Sequence, residues 1–258
     1  VYDDNAQSVG TDSKEGKMSP HQQLSTTLGD ELKLSTNQKA KVFAVALKDR
    51  SAVLPAGHNA DGAFWYEDAS GKFISSNWYM NELPAWLNAF NGRNLAKEYL
   101  SKGWAPLYAP ESYTNSIADD NAFEGAPNKK PKAVFPYEYK NYIEKNSFGI
   151  LKYTPWGNTI TRDIAIECLR NEALGKDDIC DLLSISFSSP DIIGHAYGPR
   201  AMETEDVYLR LDQDIEAILN ALDKEVGKGN YTVFLTADHG GADVPNHLKA
   251  MKIPAGLI

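Results

Sequence analysis

Three apolar runs alternate with helix-periodic stretches along this chain. Lys41–Leu47 (KVFAVAL) is continuous and rich in β-branched residues. That pattern predicts a strand buried on both faces, as in a parallel sheet. Asp181–Phe187 (DLLSISF) and Tyr231–Thr236 (YTVFLT) read the same way. Between these last two, Val207, Leu211, Ile215, Ile218 and Leu222 fall on one stripe, which predicts a long helix over 203–222. A second helix is predicted over Arg162–Leu174, with Ile164, Ile166 and Leu169 among its apolar residues. Ser19-Pro20 predicts a helix start, because Ser can cap and Pro fits the first turn; Leu24, Leu28 and Leu32 follow at helical spacing. Strand, loop, long helix and strand in that order indicate a parallel α/β sheet with the helix as crossover.

The texture changes between Gly57 and Pro155. GAFWYED, SSNWYM and APNKKPKAVFPYEY are rich in aromatics, Pro, Asn and Gly and have no clean periodicity. The expected organisation is therefore a core segment over 1–56, a cap or insertion over 57–155, and a second core segment over 156–258.

Composition narrows the class. With 258 residues the chain is long enough to bury a core. Its 42% hydrophobic and 24% charged residues exclude a mainly disordered or membrane-embedded chain. No apolar run approaches the roughly 20 residues that cross a bilayer. A net charge of −9 argues against broad binding to nucleic acid or anionic membranes. Cys168 and Cys180 match no zinc knuckle; they can form one disulfide in an oxidising compartment or remain two buried thiols. The chain starts at Val1 without Met and finishes on apolar Pro254–Ile258, so the expectation is an internal segment of a longer protein.

The chemistry gathers after the strands. In an open parallel sheet, ligands collect beyond the carboxyl ends of the strands. DLLSISF is followed by Ser188-Ser189-Pro190-Asp191-Ile192-Ile193-Gly194-His195, and YTVFLT by Ala237-Asp238-His239-Gly240-Gly241. Each strand thus delivers one Asp and one His. A helical turn from Pro190 puts Asp191 and His195 on one face. Carboxylate and imidazole so arranged suit zinc. Asp238 and His239 diverge on a regular strand, but a tight Gly-followed loop lets them converge on one ion. Taken singly, each pair also suits a cap and a satisfied polar histidine; their recurrence at two strand ends favours a metal site.

Lys48, Asp49 and Arg50 follow KVFAVAL directly. On an extended backbone Lys48 and Arg50 point the same way, and such a pair suits a tetrahedral oxyanion. A solvated strand end carries the same charges. His21, His58 and His247 read as surface, loop or structural histidines. Trp65, Tyr66, Trp78 and Tyr79 suit either a substrate mouth or core packing.

The segments SFSSPDIIGHAYGP and TVFLTADHGG, with the long helix between them, resemble the metal-binding half of the alkaline phosphatase superfamily, in its type I phosphodiesterase/nucleotide pyrophosphatase branch. KDRSAVLPAGHNADGAFWY is similar to the phosphate-irrepressible bacterial alkaline phosphatases. The resemblance implies an alkaline-phosphatase-like α/β/α core, here incomplete. It implies two zinc ions, with Asp191 and His195 as ligands of one and Asp238 and His239 as ligands of the other. Lys48 and Arg50 would contact the phosphate. The family's Thr or Ser nucleophile and a further His ligand match no position here and are expected upstream and downstream, so the isolated segment is expected to be inactive. The implied setting is periplasmic or secreted, and the implied substrates are small-molecule phosphate monoesters. Two alternatives stand beside this reading: a nucleotide pyrophosphatase/phosphodiesterase, and a non-catalytic binding domain that keeps the fold.

Overall fold

The computed structural model describes residues 1–125 and 133–256; the APNKKPK segment (126–132) and the last two residues lie outside the described residues. The strands and α-helices run in the order β1 (Ser8–Val9), α1 (Leu28–Ser35), β2 (Val42–Ala46), α2 (Asp49–Ala56), β3 (Gly62–Glu67), β4 (Lys72–Ser76), α3 (Ala85–Gly92), α4 (Leu95–Ser101), α5 (Lys140–Glu144), α6 (Trp156–Asn171), β5 (Leu182–Ser186), α7 (Ser189–Tyr197), α8 (Met202–Leu222) and α9 (Pro245–Ala250).

One five-stranded sheet has the order β1-β4-β3-β2-β5. β2 sits between two parallel partners: Ala46 lies opposite Trp65 of β3 and opposite Ser186 of β5. β4 is antiparallel to β3, and β1 antiparallel to β4. The architecture is α/β with a mixed, open sheet, and the purely parallel arrangement expected from sequence holds only for β3-β2-β5. Strands β3 and β4 come from the 57–155 stretch read as a cap, so part of that stretch is sheet.

Alternation along the strands sorts the core into two layers. Phe43, Val45 and Leu47 of the β2 region, with Phe64, Tyr66 and Phe73, face residues of α3, α4 and α6. Ala44, Ala46, Ala63, Trp65 and Ile74 face the other way, onto Ala52, Val53 and Ala56 of α2. Small side chains on both sides let α2 lie close to the sheet, directly after the strand that feeds it. Phe64 and Phe73 are fully buried, and such burial stabilises by about 1.5–3 kcal/mol per side chain.

Several expectations need correction. Tyr231–Thr236 forms no strand among the described residues, and Val233, Phe234 and Leu235 are exposed. Its composition favours an extended backbone, but a strand also needs a neighbour to take its N–H and C=O groups, and β5 pairs only with β2 among the described residues. The helix expected from Ser19-Pro20 begins instead at Leu28. Thr27 accepts from the backbone N–H of Asp30 at 3.1 Å, and Asp30 accepts from that of Thr27 at 3.0 Å. This capping box sets the start and leaves Leu24 fully exposed. The helix expected over Arg162–Leu174 starts earlier, at Trp156. Cys168 is buried, Cys180 is exposed, and both are free thiols. No helix among the described residues is long and apolar enough to cross a membrane.

Candidate active site

The parallel pairing of β2 with β5 brings two chain exits side by side. Beyond β2, Lys48 keeps an extended backbone (φ −95°, ψ 134°) and occupies the position just before α2, without a side-chain cap bond. Arg50 already lies in the first turn of α2, so the two side chains are not related by strand alternation as expected. Beyond β5, α7 starts at Ser189 with Pro190 in its first turn, which places Asp191 in the first turn and His195 in the last.

These exits meet at Asp191. Lys48 Nζ donates to Asp191 Oδ2 at 2.6 Å. His195 Nε2 lies 3.2 Å from Asp191 Oδ1, one helical turn on. His239 Nε2 approaches the same oxygen at 3.6 Å, and lies 3.7 Å from Asp238 Oδ2. Asp238 itself is almost wholly exposed. Lys48, Asp191, His195 and His239 therefore form one cluster, to which Asp238 is joined through His239. Arg50 is exposed and shares with Lys48 the lining of a cavity of 390 Å³.

The electrostatics follow from these contacts. Burial works to raise the Asp191 carboxyl, but the hydrogen bond and charge of Lys48, with His195 and His239, outweigh it and hold the group below the usual carboxylate range. His239 is raised above its ordinary value, first by its hydrogen bond to the Gly240 carbonyl and then by the charges of Asp238 and Asp191. The cluster is thus a carboxylate shared among three nitrogen-bearing side chains.

Two imidazoles beside carboxylate oxygens are the donor types zinc takes. The arrangement is not a closed cage: among the described residues no group of three or more His, Cys, Asp or Glu side chains is set to hold a metal ion. Lys48 occupies Oδ2 of Asp191, whereas both imidazoles approach Oδ1. The donor chemistry fits zinc, while the described ligand set is short of a complete shell.

Other candidates separate cleanly. His58 faces Asp30 at 3.3 Å, and Asp30 also caps the backbone of His58 and Asn59. His247 packs its ring 5.2 Å from that of Phe123. His21 is exposed. Trp65 and Tyr66 are core residues that also edge the cavity, Tyr79 donates to backbone carbonyls of Val53 and Gly57, and Trp78 is exposed. Sequence reasoning missed Glu15, Asp68 and Lys152 on the cavity wall. They come from distant segments with no shared motif, so no sequence signal groups them.

The family model described as type I phosphodiesterase/nucleotide pyrophosphatase matches residues 10–255. The chain belongs to this family. Within the alkaline phosphatase superfamily it groups with the phosphate-irrepressible bacterial enzymes. It is 45% identical over 258 residues to alkaline phosphatase PhoV of Synechococcus elongatus, covering 100% of this chain and 46% of that protein. It is also 45% identical to alkaline phosphatase PafA of Elizabethkingia meningoseptica, covering 99% of this chain and 47% of that one. The crystal structure of wild-type PafA superposes with a TM-score of 0.96 at 43% identity, over 99% of this chain and 49% of the other. This member of the family thus spans about half the length of the curated relatives it matches.

Proposed function

We propose that this chain is the phosphate- and zinc-binding portion of a phosphatase that hydrolyses small-molecule phosphate monoesters through a phospho-enzyme. The observation that supports this most directly is the placement of Lys48 beside Asp191, with Arg50 on the wall of the adjoining cavity. Asp191 and His195 would hold one zinc ion, and Asp238 and His239 the other. Bound zinc lowers the pKa of a nucleophilic hydroxyl and stabilises the leaving oxygen.

The work of the chain itself is recognition. Arg50 offers a planar fork of donors and Lys48 a mobile ammonium, which together suit nonbridging phosphate oxygens. A monoester dianion carries three such oxygens and two charges; a diester carries two and one. Donors aimed at the third oxygen therefore favour the monoester. Lys48 must exchange Asp191 for phosphate when substrate arrives, and the short tether of α2 keeps Arg50 beside it as it does so.

By this reading the isolated chain does not turn over substrate. Four ligands divided between two ions leave two each, where a zinc site takes three or four protein ligands, and no residue here is assigned as nucleophile. The proposed setting is periplasmic or secreted, with no nucleic-acid or membrane partner.

The test uses the protein expressed from its complete reading frame and loaded with zinc. Replacing Lys48 and Arg50 together by Ala is expected to reduce kcat/KM for a monoester far more than for a diester of the same alcohol. Equal losses on the two substrates would show a general anion contact and favour a phosphodiesterase.

A further inference from the structure

The cavity at Arg50 is larger than a phosphate needs. Its 390 Å³ reach from Lys48, Asp49 and Arg50 to a second polar group made by Glu15, Asp68 and Lys152. Lys152 Nζ lies 2.5 Å from Asp68 Oδ1. The Asp68 backbone N–H donates to Glu15 Oε2 at 3.3 Å. Glu15 is fixed from behind, because its carbonyl accepts from Trp65 Nε1 at 2.9 Å on buried strand β3. Lys152 also stands 5.9 Å above the Tyr66 ring. This far wall is therefore a linked set of donors and acceptors, with Lys152 half-buried and Glu15 and Asp68 open to solvent.

The charges decide what it accepts. Three cations line the cavity, but Lys48 is paired with Asp191 and Lys152 with Asp68. Three carboxylates, Glu15, Asp49 and Asp68, line it as well. One anionic group can be met at Arg50, which no ion pair holds among the described residues, with Lys48 released from Asp191 as proposed above. A second anion at the far wall would face Glu15 and Asp68 with its only cation already engaged. A hydroxyl there can donate to a carboxylate and accept from Lys152 at once.

We propose that this cavity receives the alcohol half of the ester, and that Glu15, Asp68 and Lys152 select hydroxyl-rich, uncharged leaving groups, such as sugar or polyol phosphates, over leaving groups that carry a second anion. The inference rests on the monoesterase reading above.

The experiment measures kcat/KM of the zinc-loaded protein from its complete reading frame on three monoesters: a hexose phosphate, methyl phosphate and phosphoglycerate. The wild type is expected to prefer the hexose phosphate to both. Lys152→Met is expected to lower the ratio of hexose phosphate to methyl phosphate by about tenfold, the scale of a lost hydrogen bond to a charged group. Glu15→Gln, which keeps the shape of the wall, is the second variant and should lower the same ratio. If wild type hydrolyses methyl phosphate but the ratio is unchanged in both variants, or if phosphoglycerate is preferred, the cavity assignment is overturned while the monoesterase reading stands. If wild type hydrolyses none of the three, both fall.

Discussion

Lys48 and Asp191 are 143 positions apart in sequence, yet their side chains are joined by a 2.6 Å charge-assisted hydrogen bond. The contact exists because β2 and β5 are parallel neighbours and both exits leave from the same sheet edge. Under the zinc reading proposed above, it also sets a competition for that carboxylate. Metal ligands must be free and deprotonated to bind. In the isolated chain, Lys48→Met should therefore tighten zinc binding by about tenfold, given the strength of hydrogen bonds to charged groups. Asp191→Asn should weaken it in either background. Calorimetric zinc titration of wild type, the two single variants and the double variant decides it; identical affinities for wild type and Lys48→Met would mean that Lys48 does not compete with zinc for Asp191.

Asp30 ties three segments together from a buried position. Its carboxylate accepts from the backbone N–H groups of Thr27, His58 and Asn59 at 3.0, 2.8 and 2.9 Å. Asp30→Ala would leave those donors without partners and is expected to cost about 2–4 kcal/mol. Thr27→Ala, which removes one cap bond, should cost about 1 kcal/mol. Urea unfolding midpoints give both values, and a smaller loss for Asp30→Ala than for Thr27→Ala would contradict this account of the α1–α2 corner.

Glu203 makes stability depend on pH. Burial, which the Tyr137 hydrogen bond only partly offsets and which Asp119 and Asp206 reinforce, pushes its carboxyl from 4.5 up to about 7. Between those values the folded chain binds a proton that the unfolded chain has released. Stability must then fall as pH rises from about 4.5 to 7 and level off above. The upper bound on this loss is on the order of 3 kcal/mol. Glu203→Gln should flatten the decline between pH 5 and 8, as read from denaturant midpoints across that range. Glu124, raised to about 8 by burial and then by the Glu203 charge, and Asp214, raised to about 6 chiefly by burial, titrate in the same window and keep part of the decline.

Val233, Phe234 and Leu235 present contiguous apolar side chains to solvent. Exposed apolar stretches of this kind favour self-association. Phe234→Ser is expected to reduce concentration-dependent association of the isolated chain and its binding of hydrophobic dyes. Its Tm should change little, because a side chain that is 83% exposed contributes little packing. A clear drop in Tm would show that the segment packs against the fold.

The sequence by itself determined the elements whose signal is local. KVFAVAL and DLLSISF became β2 and β5, and the Val207–Leu222 stripe became α8, because side-chain periodicity and β-branching act over a few residues. It also determined that an Asp-xxx-His turn and an Asp-His-Gly loop would carry donors of the zinc type. Where α1 starts was also written locally, in the Thr27–Asp30 capping box, which won over the Ser-Pro signal eight residues earlier. Tertiary structure alone decided that aromatic-rich segments after Gly57 would supply β3 and β4, and that YTVFLT would remain unpaired among the described residues. A strand is defined by its neighbour as much as by its own residues, and hydrogen-bond partners are not written in a single run of sequence. The same reason explains the site. Which residues bear charge is legible locally, but the meeting of Lys48 with Asp191, and of Glu15 with Asp68 and Lys152, follows from which strand ends and loops the packed sheet brings to one edge.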